Sequence, residues 1–164
     1  VKDRNTMSLN AVAHLNFHGQ AREALKFYQS VFGGQLTVVT YADFGMPAEL
    51  PGATHVVFGQ VLAGNGFQVM AYDVPGEHTP VTPGAPGTHR ENGITITKEP
   101  FFLSVRGENV DEVTPVWEGL AKGATVIEAF GPAQWAPAFG MLADRFGVTW
   151  IIDVAAEHTQ TGGR

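Results

Sequence analysis

The chain has 164 residues, an apolar fraction of 44% and a formal net charge of −6. That length makes one domain, or two small modules sharing a core. The acidic balance argues against a nucleic-acid phosphate footprint, no apolar run approaches the ~20 residues that span a bilayer, and the absence of Cys excludes disulfides, thiolate metal sites and Cys nucleophiles. A cytoplasmic protein fits these properties, which say little about a ligand.

Residues 1–10 are polar and read as a leader, with no signal peptide. Val1–Thr6, ahead of Met7, is a leader, a tag remnant or an alternative start. Ala11–Phe17 reads as a strand. Gln20–Phe32 reads as a helix, because Ala24, Leu25, Tyr28, Val31 and Phe32 recur at helical spacing. Gly33-Gly34 ends it, since glycine tolerates the positive φ that a helix C-terminus often needs. Leu36–Ala42 is rich in β-branched residues, as a strand is. Gly45–Ala53 is a Pro/Gly loop. Thr54–Ala63 and Phe67–Tyr72 flank Gly64-Asn65-Gly66 as a hairpin. Residues 74–98 read as a Pro/Gly-rich connecting loop.

Phe101–Val105 is the next strand. Asn109 or Asp111 caps a helix running to about Ala121, or Thr114 does, because Pro115 sits well only in a first turn. Ala124–Ala129, Phe139–Ala143 and Val148–Val154 are the remaining strands. The order is β-α-β-β-β twice, over residues 11–73 and 99–155, with a tail at 156–164.

The two halves also match residue by residue. At an offset of 88, Leu15 matches Leu103, Phe17 matches Val105 and Gly19 matches Gly107. At an offset of 80, Val61-Leu62-Ala63 with Tyr72-Asp73 matches Met141-Leu142-Ala143 with Ile152-Asp153. Two matched units suggest a pseudo-twofold α+β fold.

Several segments carry a resemblance. They are Leu15-Asn16-Phe17-His18-Gly19, Glu23-Ala24-Leu25-Lys26-Phe27-Tyr28, Val31-Phe32-Gly33-Gly34, Gln134-Trp135, Phe139-Gly140 and Asp144-Arg145-Phe146-Gly147-Val148-Thr149-Trp150. Over about residues 10–155 the chain resembles the vicinal oxygen chelate superfamily of glyoxalases, extradiol dioxygenases, and bleomycin and fosfomycin resistance proteins. Within it the chain looks most like the PhnB-like branch, which is labelled 3-demethylubiquinone-9 3-methyltransferase-like. The resemblance implies paired βαβββ modules whose curved mixed sheet encloses a cleft, a small-molecule ligand bound there, and commonly a homodimer.

It also implies a divalent metal held by up to four His, Glu or Gln side chains, polarising paired substrate oxygens as a Lewis acid. The motif register puts the first ligand position at Ala13, with His14 one residue off and turned to the opposite face. Ala13, Leu15 and Phe17 share one face; His14, Asn16 and His18 share the other. The second position lands on or near His55. The third holds Phe101 or Phe102, and the fourth holds Ile151. At most His55 and His14 survive, and a stable site needs about three protein ligands. A tight catalytic metal is therefore not expected unless loop residues such as His78 or His89 contribute.

A pocket does not need the metal. His55, Met70, Tyr72, Phe102, Trp135 and Phe139 are candidates for its lining, with Glu128 and Gln134 as polar handles. Adding 80 to His55 gives Trp135, so the two are expected at equivalent positions. Trp150 reads as core, and Asp144 and Gly147 as the last turn. Gly64-Asn65-Gly66 sits between strands, so it is no dinucleotide fingerprint. No segment suits S-adenosylmethionine, and methyl transfer has no support in the sequence. The expectation is a binder of a small organic molecule with a degenerate metal site. The alternatives are a metal-dependent lyase, isomerase or dioxygenase of the glyoxalase type, and a structural dimer without a ligand.

Overall fold

The structure is a computed structural model that describes residues 9–76 and 87–156. Residues 1–8, most of the expected tail and His78 lie outside them. Twelve elements follow in order: β1 Ala13–Phe17, α1 Ala21–Phe32, β2 Gln35–Thr40, β3 Val56–Leu62, β4 Gln68–Asp73, β5 Thr88–Glu91, β6 Ile94–Thr97, β7 Leu103–Gly107, α2 Val110–Leu120, β8 Thr125–Ala133, β9 Ala136–Ala143 and β10 Thr149–Val154. The chain divides into two compact units, Val1–His78 and Thr79–Arg164. One sheet runs β1-β4-β3-β2 and the other β7-β10-β9-β8. In each, the first strand pairs parallel to the last and the remaining pairs are antiparallel. The expected α+β architecture of two βαβββ modules is what the chain adopts.

In the first unit the period-two alternation sorts side chains onto two faces. Leu15, Phe17, Val61, Val69 and Ala71 are buried. A Cβ at Gly59 would run into Leu25 Cδ1, so this face packs against α1. The helix replies with Ala21, Ala24, Leu25, Tyr28 and Phe32. Burying a side chain such as Leu25 is worth about 1.5–3 kcal/mol. The opposite face carries His14, Asn16, Gln60, Met70 and Tyr72, with His14 paired to Met70 and Asn16 to Tyr72 in register.

The start of α1 has no cap of its own, because Gln20 makes no side-chain cap bond. Asp73, at the end of β4, supplies it. Its Oδ1 accepts from the Gly19 N–H at 2.7 Å and the Ala21 N–H at 3.0 Å, and its Oδ2 accepts from the Val56 N–H at 2.9 Å. One buried carboxylate thus joins β4, the β1–α1 turn and the start of β3.

The second unit repeats the plan. Trp150, Leu142, Ile152, Leu120 and Val113 are buried. A Cβ at Gly140 would lie 2.7 Å from Trp117 Cζ3, so that face of β9 packs on α2. Trp150 is core, as expected, and its indole N–H donates to Asp144 Oδ2 at 2.9 Å. The Asp144 Oδ1 accepts from the Phe146 and Val148 N–H groups, which builds the expected last turn.

One open expectation is decided and another is corrected. The cap of α2 is Asn109, whose Oδ1 accepts from the Glu112 N–H at 2.9 Å. Asp111 and Thr114 are inside the helix, where the Thr114 hydroxyl donates to the Val110 carbonyl at 2.7 Å. Pro115 is tolerated within the helix. Residues 74–98 are also more than a loop, because β5 and β6 form a hairpin there. Its turn is Asn92-Gly93, both at positive φ, the pairing that tight hairpin turns select.

Candidate functional site

The first unit holds a pocket of about 530 Å³ lined by His18, Tyr41, Met46, Pro51, Gly52, His55, Val74, Pro75 and Gly76. It opens at the C-terminal ends of the parallel strands β1 and β4. Three segments build it: the β1–α1 turn, the chain leaving β4, and the long β2–β3 connection, residues 41–55. That connection is ordered by its own backbone. The Tyr41 N–H donates to the His55 carbonyl at 3.0 Å and the Ala42 N–H to the Ala53 carbonyl at 2.8 Å, which extends the β2–β3 ladder. Further turns follow at Phe44, Gly45, Met46, Leu50 and Ala53. Thr40 and Asp43 fix the entry: the Thr40 N–H donates to Asp43 Oδ2, and the Asp43 N–H to Thr40 Oγ1. These bonds hold the Asp43 carboxyl below its ordinary range, the Thr40 backbone bond most of all.

His55 precedes β3 by one residue. A Cβ at Gly19 would lie 3.4 Å from its Cε1 and Nε2, and one at Gly52 3.6 Å from its Nδ1. The two glycines therefore leave room for the imidazole between the turns. Tyr41 donates its hydroxyl to the Asp73 carbonyl oxygen at 2.7 Å. Burial, then the neighbouring Tyr72 and Asp73, push its pKa above 10.0. Tyr41 is thus a neutral phenol at physiological pH, with its proton committed and a lone pair free to accept. The lining offers two imidazoles, a phenol oxygen, a thioether and apolar walls.

The other expected residues distribute by unit. His14, Met70 and Tyr72 lie on the face of the first sheet opposite α1. The His14 ring meets Tyr72 edge-on at 5.3 Å, and its Nδ1 is 3.1 Å from Asn16 Oδ1. Ala13 is on the α1 side, so among β1 residues it is His14 and Asn16 that share a face with Met70 and Tyr72. In the second unit, Phe102 immediately precedes β7, and Phe139 is on the face of β9 opposite α2. Glu128 is paired in register with Met141 on that same face. Gln134 and Trp135 form the exposed β8–β9 turn. Trp135 precedes β9 by one residue, as His55 precedes β3, and its ring meets Phe139 at 5.3 Å.

The described positions that the resemblance assigns to metal ligands are not brought together. Ile151 pairs with Ser104 and Met141. Among the described residues no three His, Cys, Asp or Glu side chains gather. His89 is exposed, 3.4 Å from Glu91.

The sequence reading named His55 but missed Tyr41, His18 and Met46 as its neighbours. A signal for them existed. The second half carries only Gln134-Trp135 where the first carries residues 41–55, so the loop is an insertion in one copy of the repeat.

Among the described residues no helix is long and apolar enough to cross a membrane. The chain is 22% identical over 146 residues to Protein YjdN of Escherichia coli (strain K12), covering 88% of this chain and 94% of that protein. It is similar in structure to protein PA1353 from Pseudomonas aeruginosa, with a TM-score of 0.67 and 28% identity over 90% of this chain and 98% of that one. A Bacillus cereus protein described as a putative 3-demethylubiquinone-9 3-methyltransferase, PhnB protein, matches with a TM-score of 0.62 and 24% identity over 90% of this chain and 100% of that one. A family model covers residues 11–152, and the chain belongs to the Glyoxalase/Bleomycin resistance protein/Dioxygenase superfamily.

Proposed function

We propose that the protein binds a small organic molecule in the pocket of its first unit, without a tightly held catalytic metal. One observation carries the reading. The repeat is broken where residues 41–55 replace a two-residue turn, and the inserted loop walls a pocket of about 530 Å³. That volume is in the range of small-ligand sites. Ordered long loops are uncommon unless they do something. The mixed lining suits a partly apolar ligand with one or two polar groups, set by His18, His55 and the Tyr41 oxygen. Methyl transfer is not part of the proposal, because Gly64-Asn65-Gly66 joins β3 to β4 and opens no helix. We also propose the homodimer that the resemblance implies, which sedimentation tests.

Binding is tested by native mass spectrometry of gently purified protein, with identification of any retained small molecule after denaturation. The comparison variant is His55→Trp, which puts into the pocket the residue that the second unit carries at the equivalent position. A retained organic species lost in the variant supports the proposal. Stoichiometric Zn, Ni, Mn or Fe that disappears in His55→Ala overturns it in favour of a metal-dependent enzyme.

A further inference from the structure

The β5–β6 hairpin of the second unit is built inside out. Its exposed face carries Ile94 and Ile96, at 64% and 44% exposure. Its other face carries Thr88, Arg90, Thr95 and Thr97, which the register places together. Thr88 is buried and shares a hydrogen bond with Thr97 at 2.7 Å. Thr95 reaches Met141 Sδ at 3.6 Å, so this polar face lies on the side of β9 away from α2. A hairpin folding only to cover a sheet would turn its isoleucines inward.

Arg90 is the centre of this face. Its Cζ is 5.6 Å from the Trp135 ring centroid and 5.3 Å from that of Phe139. Its Nη1 donates to Thr95 Oγ1 at 2.9 Å. Its Nε is buried and, among the described residues, has no hydrogen-bond partner. Glu128 Oε2 is 3.7 Å from that nitrogen, too far for a hydrogen bond, and the Glu128 side chain is 43% exposed. A buried N–H of a cation without an acceptor is costly and calls for one. The chain's own carboxylate approaches the position without filling it.

We propose that Arg90, Trp135 and Phe139 form a second binding site, for a small aromatic carboxylate. The ligand carboxylate displaces Glu128 and accepts from Arg90 Nε. The ligand ring lies on the exposed Trp135 indole. The planar guanidinium fork suits a carboxylate. The aromatic walls favour a ligand with an apolar body over inorganic phosphate, whose remaining oxygens would face rings. Its residues all belong to the second unit, whereas those that line the His55 pocket belong to the first.

The full chain is titrated with sodium benzoate, with acetate and inorganic phosphate as comparison probes, by calorimetry and tryptophan fluorescence. Saturable benzoate binding is expected, with quenching that Trp135→Phe removes. Arg90→Gln should weaken it at least tenfold, and His55→Ala should leave it unchanged. Because Arg90→Gln could release the hairpin, Glu128→Gln is the second variant. It keeps Arg90, removes the competing carboxylate and should tighten benzoate roughly tenfold, about 1.4 kcal/mol. Absence of saturable binding, equal binding of acetate or phosphate, loss in His55→Ala, or unchanged affinity in Glu128→Gln overturns the proposal.

Discussion

Asp73 is the last residue of β4 and Asp153 the last but one of the equivalent strand β10, yet their carboxylates are satisfied in opposite ways. Asp73 takes three backbone N–H groups from its own unit. Asp153 takes a bidentate pair from Arg106, at 3.1 Å from Nε and 2.9 Å from Nη2. The exposed Arg106 is the β7 residue paired in register with Asp153, whereas the β1 residue paired with Asp73 is Phe17. By alternation Asp73 lies on the α1 side of its sheet, where main-chain N–H groups reach it, and Asp153 lies on the side away from α2, where Arg106 does.

Asp73→Asn should therefore be the more damaging of the two amide substitutions. An amide offers one acceptor oxygen and turns an NH2 toward donors that need acceptors. Charge-assisted bonds contribute about 1.5–3 kcal/mol each, non-additively. We expect a loss of about 2–4 kcal/mol in urea unfolding, with faster amide exchange at the start of α1. Asp153→Asn should shift the midpoint less, because its partner is solvated. An equal or larger shift for Asp153→Asn would sink this account.

Tyr41 gives the pocket a pH signature. Its folded pKa is raised above 10.0 by burial, then by Tyr72 and Asp73. The neutral phenol is thus favoured in the folded state. That contribution is fully present below the unfolded pKa of ~10 and is lost as pH rises through the folded value. Spectroscopic titration should show one tyrosine ionising late. Tyr41→Phe should remove that late step and flatten the fall in stability above pH ~10. At neutral pH it should cost about 0.5–1.5 kcal/mol, the worth of one hydrogen bond.

Much of the fold was legible in the sequence because both halves say it. Leu15 with Leu103 and Asp73 with Asp153 mark equivalent strands, and the helical spacing of Ala24, Leu25 and Tyr28 marks the face that α1 buries. The α2 cap was harder to read. Pro115 disfavours a helix interior, but the Asn109 cap and tertiary packing outweigh that cost. The β5–β6 hairpin was hidden by its composition: its buried face is polar, so alternation pointed nowhere, although Asn92-Gly93 was a usable turn signal. The pocket was half legible. His55 could be picked as a histidine near an expected position. Tyr41 and His18 join it only because the β2–β3 ladder and the Asp73 contacts fold distant turns together.

The β2–β3 loop should be separable from the fold it decorates. The ladder runs through Ala42 and Ala53, so residues 43–52 can be replaced by a short Asn-Gly turn without breaking a strand pair. The shortened chain should unfold cooperatively, with stability within about 1–2 kcal/mol of the parent, since lengthening a surface loop changes closure entropy only slowly. It should retain none of the molecule that the parent carries through native mass spectrometry. Retention by the shortened chain would place the ligand elsewhere.

Pro115 supplies a test of the second unit that leaves both sites alone. It is exposed within α2, and its missing N–H leaves the Asp111 carbonyl without an intrahelical donor. Thr114, one residue earlier, uses its hydroxyl on the Val110 carbonyl. Proline costs about 3 kcal/mol relative to alanine in a regular helix interior. The cost here is smaller, because the helix around this central position has already adapted to the ring. Pro115→Ala should therefore stabilise the protein by about 1–2 kcal/mol in urea unfolding. Binding in the His55 pocket should not change. Destabilisation would mean that the ring's rigidity in the unfolded chain outweighs the missing hydrogen bond.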